Sequence, residues 1–325
     1  MTQINISSSA KSIDIKKIKL EAKYNSEIKK YLDIIADVSS SIYAIRGNLN
    51  ANEVSKNAKP ELIFLLRSLY RDTIKIFDNS SRDFMKDKKA EGLNISKEDN
   101  EMVNQEISES SLFYVNNQSE IQSDEISKTN EKKIESAVVF ALLFINNKIQ
   151  KLNSDKIDAQ NQLLSINQEL DRIGELSIAL KLKKKKLEKL IKDVDKNLQK
   201  INSNRNLAIS REINKKLKEL NVARSKTISA QEIGATESFI RQEEAKALSK
   251  TNATYRNVFL SRSRKRWNAI LDNRTREAHA LADGQIRRLD EDFIVDGENL
   301  SFPRDPRGSI GNIINCRCII DYILV

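Results

Sequence analysis

Apolar residues over most of this chain recur at steps of three and four, the spacing of a single helix face. Leu62, Leu65, Leu66, Leu69, Tyr70 and Ile74 form one such stripe. Residues 10–85 therefore read as two or three helices, with Pro60 placed where a first helical turn accepts proline. Residues 86–132 break the pattern. They are polar, hold few large apolar side chains and include Gly92, so they read as a long loop or weakly ordered insertion. Helix resumes near Lys132 and becomes regular. Ile145, Ile149, Leu152, Ala159, Leu163, Ile166, Leu170, Ile173, Leu180, Leu187, Ile191, Val194, Leu198 and Ile201 follow alternating steps of four and three, interrupted at Lys156, Ser177 and Lys184. That is a coiled-coil seam. It needs a partner helix, from this chain or from another copy. Gly174 is its weak point, and the Lys183–Lys186 run is either a solvated face or a phosphate contact.

No proline lies between Pro60 and Pro303, so helix is allowed to continue to about Leu281, with a break near Asn202–Asn206 and a junction at Gln231–Ser238. After Gly284 the period changes to two. Phe293–Val295, Asp296-Gly297 and Leu300–Phe302 predict a β-hairpin, and Cys316–Val325 a final strand. The expected fold is mainly α. An elongated helical and coiled-coil N-terminal part precedes a small C-terminal α+β module. The expected divisions are residues 1–140 with the polar insertion, 141–224 as the long helix, and 225–325 as the module.

Composition narrows the function classes. At 325 residues, two domains are a reasonable expectation. The nine-residue apolar run Ala137–Ile145 is too short to span a bilayer, and the N-terminus lacks the charged start and apolar block of a secretory signal. No membrane role is expected. Two cysteines spaced Cys-x-Cys make no disulfide framework and fit a reducing compartment. The net charge of +10 is uneven: residues 151–250 carry 22 basic against 14 acidic side chains. Attraction to nucleic acid or to an acidic protein would concentrate there.

The last sixty residues hold the only Trp, the only His, both Cys and four of the eight Gly. With helix assumed around Arg274-Thr275-Arg276, the residues Asp272, Arg276, His279 and Asp283 share one face, and Asp272 pairs with Arg276. On a strand, Cys316 and Cys318 point one way and Arg317 the other. Four outcomes follow. The residues form a hydrogen-bonded fastening, or hold zinc through His279, Cys316, Cys318 and Asp272. Otherwise they make a Cys–His nucleophile pair, which requires an exposed thiolate, or they do not meet. The fastening is the expected one, with no catalytic residue and no cofactor, zinc being the alternative. Arg256, Arg262, Arg264, Lys265 and Arg266 cluster before Trp267 as candidate non-specific DNA contacts.

The order of these residues is more specific than any pair. Trp267-x₄-Asp272-x-Arg274-Thr275-Arg276-x₂-His279, then Asp283-Gly284-Gln285, Phe293, Gly297, Pro303-x-Asp305-Pro306 and Asn315-Cys316-Arg317-Cys318 resembles the phage Mu F-like family of minor head, or head morphogenesis, proteins. Ala235-Thr236-Glu237-Ser238 resembles the family's Arg-Thr-Glu-Thr helix start, with Ala235 in place of the arginine. The resemblance covers about residues 225–325. It implies a minor capsid protein of the virion interior, made in the host cytoplasm, associated with the portal protein and linked to DNA packaging or delivery. Some members carry a toxin domain after the module, and the end of this chain at Val325 leads us to expect none there. The rival expectations are an injected effector enzyme acting through His279 and the cysteines, and a generic coiled-coil adaptor with no virion role; self-association through the coiled coil is a further expected contact.

Overall fold

The computed structural model describes residues 8–89, 96–173, 178–251, 263–313 and 316–324. It is mainly helical, with a small C-terminal module of short antiparallel strands. Five long helices come first: α1 (Ser8–Arg46), α2 (Ala51–Lys89), α3 (Lys97–Ile173), α4 (Ile178–Ser203) and α5 (Arg205–Thr251). The module follows as β1 (Ser263–Asn268), α6 (Glu277–Ala282), β2 (Ile286–Arg288), β3 (Phe293–Val295), β4 (Glu298–Leu300), α7 (Ile310–Ile313) and β5 (Ile319–Leu324). Two compact units divide the chain. One holds residues 1–32, 58–126 and 221–325, and the other residues 33–57 and 127–220. No described helix is long and apolar enough to cross a membrane.

In the second unit, Ile35, Ala36 and Tyr43 of α1, Ile134, Ala137, Ala141 and Ile145 of α3, and Ile209, Ile213 and Leu217 of α5 are buried. Asp37 bonds Lys218 at 2.7 Å and accepts from Asn214 at 2.7 Å. The α1–α2 turn depends on Gly47, which has φ +71° and lies so close to Asn206 that a Cβ would meet that amide at 2.9 Å. Asn50 then caps α2 by accepting from the Glu53 N–H at 3.2 Å.

The seam does not run as one helix. It is shared between α3 and α4, which pack on each other through Ala159, Leu163, Ile166 and Leu170 on one side and Leu187 and Ile191 on the other. Lys156, before Ala159 in α3, bonds Asp195, after Ile191 in α4, at 2.7 Å, so the pair is antiparallel. The covering helix for these apolar positions comes from the same chain. Lys156, an interruption in the sequence pattern, is the ion-pairing edge of the packed face. The weak point expected at Gly174 lies outside the described residues.

The loop expected over 86–132 is corrected. From Lys97 onward that stretch is α3. Its buried face holds Val103, Ile107, Ser111, Tyr114, Val115, Gln118, Ser119, Ser123 and Ile126. The period is helical, but small polar residues occupy nearly half the positions, so apolar spacing alone misses it. Ser119 and Ser123 remain satisfied inside by donating to the Asn116 and Glu120 carbonyls. Pro60 also differs from expectation: it lies inside α2 rather than at its first turn. Because proline has no N–H, one helical bond is missing there.

In the first unit, Leu62, Leu66, Leu69 and Tyr70 of α2 are buried with Tyr24, Ile28 and Leu32 of α1 and Ile233 and Ile240 of α5. Tyr70 donates from its hydroxyl to the fully enclosed Glu232 carboxylate at 2.6 Å. Burial raises the Glu232 pKa from 4.5 to about 7, more than the Tyr70 hydrogen bond lowers it. The folded state therefore holds a proton that the unfolded chain releases between these values. This contribution is full below pH 4.5, declines as pH rises and is gone above about pH 7. It amounts to about 3 kcal/mol at 1.36 kcal/mol per pKa unit. Glu232→Gln keeps the acceptor oxygen and removes the titration. Melting curves of the variant between pH 4.5 and 7 are expected to lose this decline, and an unchanged slope would refute the assignment.

Candidate functional site: the C-terminal module

β1 lies between β2 and β5, antiparallel to both, with Trp267 opposite Ile320. β3 and β4 form the expected hairpin, with Phe293 opposite Leu300. Its turn uses Asp296 at φ +53° and Gly297 at φ +75°, the left-handed pair that a two-residue hairpin turn requires. The core gathers Trp267, Ala269, Ala282, Phe293, Val295, Leu300, Phe302, Cys316, Cys318 and Ile320.

Helix was expected through Trp267 to Leu281. Instead, β1 occupies 263–268, a turn follows, and only 277–282 is helical. The change of period relocates the site residues. On a strand, Lys265 and Trp267 share one face, and both are buried, at 1% and 0% exposure. Lys265 is therefore not a phosphate contact. Its amine donates to the Ser301 carbonyl at 2.9 Å and lies 5.1 Å from the Phe293 ring centre. On the other face, Arg266 bonds Asp321 at 2.9 Å, which partly neutralises a second candidate. Arg264 is half-buried, and Arg256 and Arg262 lie outside the described residues.

Asp272 does not pair with Arg276. Its carboxylate takes two bonds from Arg317, at 2.8 and 2.5 Å, and one from the Arg274 N–H at 2.9 Å. Arg317 above all holds that carboxyl well below the usual range. Thr275 Oγ1 closes the turn by accepting from the Asp272 N–H at 3.1 Å and donating to the Ile270 carbonyl. Arg276 sits at the start of α6 in an extended conformation. Asp283 accepts from the Ala269 N–H at 2.7 Å. Gly284, at φ +73°, turns the chain into β2. Gln285 then clamps the backbone of β3, accepting from the Ile294 N–H at 2.7 Å and donating to its carbonyl at 3.0 Å.

His279, Cys316 and Cys318 do meet. All three are buried, and their donor atoms lie within 4.8 Å of one another. Cys318 Sγ is 3.4 Å from His279 Nδ1, and the imidazole stands edge-on to Trp267, with centroids 5.9 Å apart. The Cys318 hydrogen bond, helped by His279 and Arg304, pulls the Cys316 thiol down against the effect of burial. The same pairing pushes Cys318 up. Asp272 stands outside this group because Arg317 holds it. The alternation expected at the cysteines persists: Cys316 and Cys318 are buried and Arg317 is half-exposed, although all three precede β5 rather than lie in it. Asn315 lies outside the described residues.

Several supporting residues had no distinctive sequence signal. Arg304 donates to the Cys316 carbonyl at 2.6 Å. Its guanidinium lies so close to Gly234 of α5 that no Cβ fits between them. The Gln231–Ser238 stretch is thus not a junction but the middle of α5, where small residues let the module approach. Gln242 of α5 donates to the Leu289 carbonyl at 2.7 Å. By contrast Asp305, of the Pro303-x-Asp305-Pro306 motif, was marked in the sequence; buried, it accepts from the Ser301 N–H at 2.7 Å and from Arg307 at 2.6 Å, and Arg307 also bonds Asp292.

The buried lysine and the single tryptophan give a test of this core. Burial lowers the Lys265 pKa from 10.5 to about 8, against the pull of Asp292. Between these values the unfolded chain holds a proton that the folded one lacks, so module stability is expected to rise as pH increases from 8 to 10.5. Lys265→Met should flatten that rise, followed by Trp267 fluorescence during unfolding. Trp267→Ala should cost about 3–5 kcal/mol in denaturant titrations, the usual range for losing a large buried aromatic.

Neither the curated proteins nor the solved structures yield a match to this chain. A protein-family model does match its C-terminal part. The matched segment takes in most of α4, all of α5 and nearly all of the module, including every motif residue described above. Residues 185–321 of this chain match the model of the family described as Phage Mu protein F like protein.

Proposed function

We propose that this chain is a minor head protein of a phage that associates with the portal inside the head and supports head morphogenesis and DNA packaging or delivery. The observation that carries this reading is the family match over residues 185–321, which fits a phage head protein. The use of the motif residues supports a structural rather than a catalytic role. Asp272, Thr275, Asp283 and Gln285 are engaged in holding the module's own backbone and Arg317. The cysteines and His279 are buried together in its core, a poor position for a nucleophile that must meet a substrate.

The helical part supplies the surface for partners. Val139, Phe140, Leu143 and Phe144 of α3 remain exposed, and α4 carries nine lysines against three acidic residues. A helix this basic beside packaged DNA would bind phosphate without regard to sequence. With Lys265 and Arg266 engaged inside the module, the DNA contact is assigned to the Lys183–Lys186 stretch of α4.

Mass spectrometry of purified particles tests the main reading. The protein should be present in far fewer copies than the major capsid protein and should co-purify with portal protein from disrupted heads. Its absence from particles would refute the proposal. For DNA, retention by the full chain should weaken steeply with salt. Replacing Lys183–Lys186 with glutamine should reduce the log–log salt slope by about 0.9 for each phosphate left without its lysine. An unchanged slope would remove α4 from the interface.

A further inference from the structure

We propose that His279, Cys316 and Cys318 form a binding site for one zinc-class divalent cation, which ties the segment leading into β5 to helix α6. The spacing of the donors carries the argument. Zinc bound tetrahedrally, at about 2.3 Å from sulfur and 2.0 Å from nitrogen, separates its ligand atoms by roughly 3.5–3.8 Å. Here the three donors lie within 4.8 Å of one another, and Cys318 Sγ stands 3.4 Å from His279 Nδ1. Small side-chain adjustments complete three corners of a tetrahedron. A cavity of about 10 Å³ adjoins the donors, bordered also by Ile270, Thr275, Arg274, Arg276 and Arg317. That is room for one ion or one water.

Charge and softness select the cation. Two thiolates with a divalent cation are neutral in sum, which suits a site whose ligands are all buried. Among the guanidinium groups around the site, Arg317 and Arg274 pair with Asp272, and Arg304 donates to the Cys316 carbonyl. Sulfur and imidazole donors favour zinc over magnesium or calcium, which require oxygen. The expected carboxylate ligand, Asp272, is replaced by an open fourth position, to be filled by water. The ligands also sit where fastening is needed. His279 lies on a six-residue helix without a side-chain N-cap, and the cysteines lie in an irregular segment before β5. Metal affinity at such a junction adds directly to folding stability.

The test uses the untagged full-length chain, purified under reducing conditions. Elemental analysis should find about one zinc per chain. After chelation, one equivalent of Co²⁺ should produce the near-ultraviolet thiolate-to-cobalt band with visible d–d bands. The Trp267 unfolding midpoint should fall on chelation and recover with zinc. Cys318→Ser and His279→Ala should each weaken Co²⁺ binding by about tenfold or more. Should either variant fail to fold, the unaltered chain decides. Folded protein with both thiols reduced that gives no cobalt band, and zinc well below one per chain, overturns the site. A Cys316–Cys318 disulfide that persists in the reduced preparation overturns it equally.

Discussion

The module depends on enclosing one indole. Trp267 sits in the central strand of a three-stranded sheet, opposite Ile320, with Phe293 edge-on at 5.3 Å and His279 edge-on at 5.9 Å. These neighbours come from β5, β3 and α6, so burying one ring brings three separate pieces of chain into place. None of those pieces is long enough to be stable alone. β3 and β4 have three residues each, and α6 has six, well below the length at which an isolated helix persists in water.

Such short elements leave many backbone groups without ladder partners, and buried backbone groups must be paired. The motif's polar residues supply the missing partners. Asp283 takes the Ala269 N–H, Gln285 both polar groups of Ile294, Asp305 the Ser301 N–H, Glu298 the Ser309 N–H and Asn312 the Val295 carbonyl. Asp272 and Arg317 fasten the turn before α6 to the segment before β5. A reader of the sequence sees charged and amide residues crowded around a His and two Cys, a composition that suggests an active site. Most of them act as replacement hydrogen-bond partners in a module too small to satisfy its backbone with sheet and helix alone.

In the helical part, the stripe from Leu62 to Tyr70 and the seam from Ile145 to Ile201 were legible because large apolar residues marked them. The α3 stretch after Lys97 was not, because serine and glutamine fill much of its inward face. A serine inside a helix can return its hydroxyl to a carbonyl three or four residues back, as Ser119, Ser123 and Ser238 do. Burial then needs no apolar signal. Around Trp267 the difficulty was ambiguity. A stretch without proline or glycine, rich in arginine, fits a helix as readily as a strand, and only the choice of period two places Lys265 on the buried side. The meeting of His279 with both cysteines was among the outcomes the residue order allowed, and Asp272 as their fourth member was not supported.

Local spacing determined the helices marked by large apolar residues, where the hairpin turns, and that the C-terminal third carries an ordered motif resembling that family's. Those features follow from backbone periodicity, turn chemistry and residue order, which are properties of neighbouring residues. The tertiary structure decided the pairings. It folded the seam back on its own chain, placed Arg304 against the bare backbone of Gly234, gave Asp272 to an arginine 45 residues away, and enclosed a lysine beside Trp267. Each of these depends on which distant surfaces come together, and that is settled by burying apolar area and satisfying every enclosed polar group across the whole core at once.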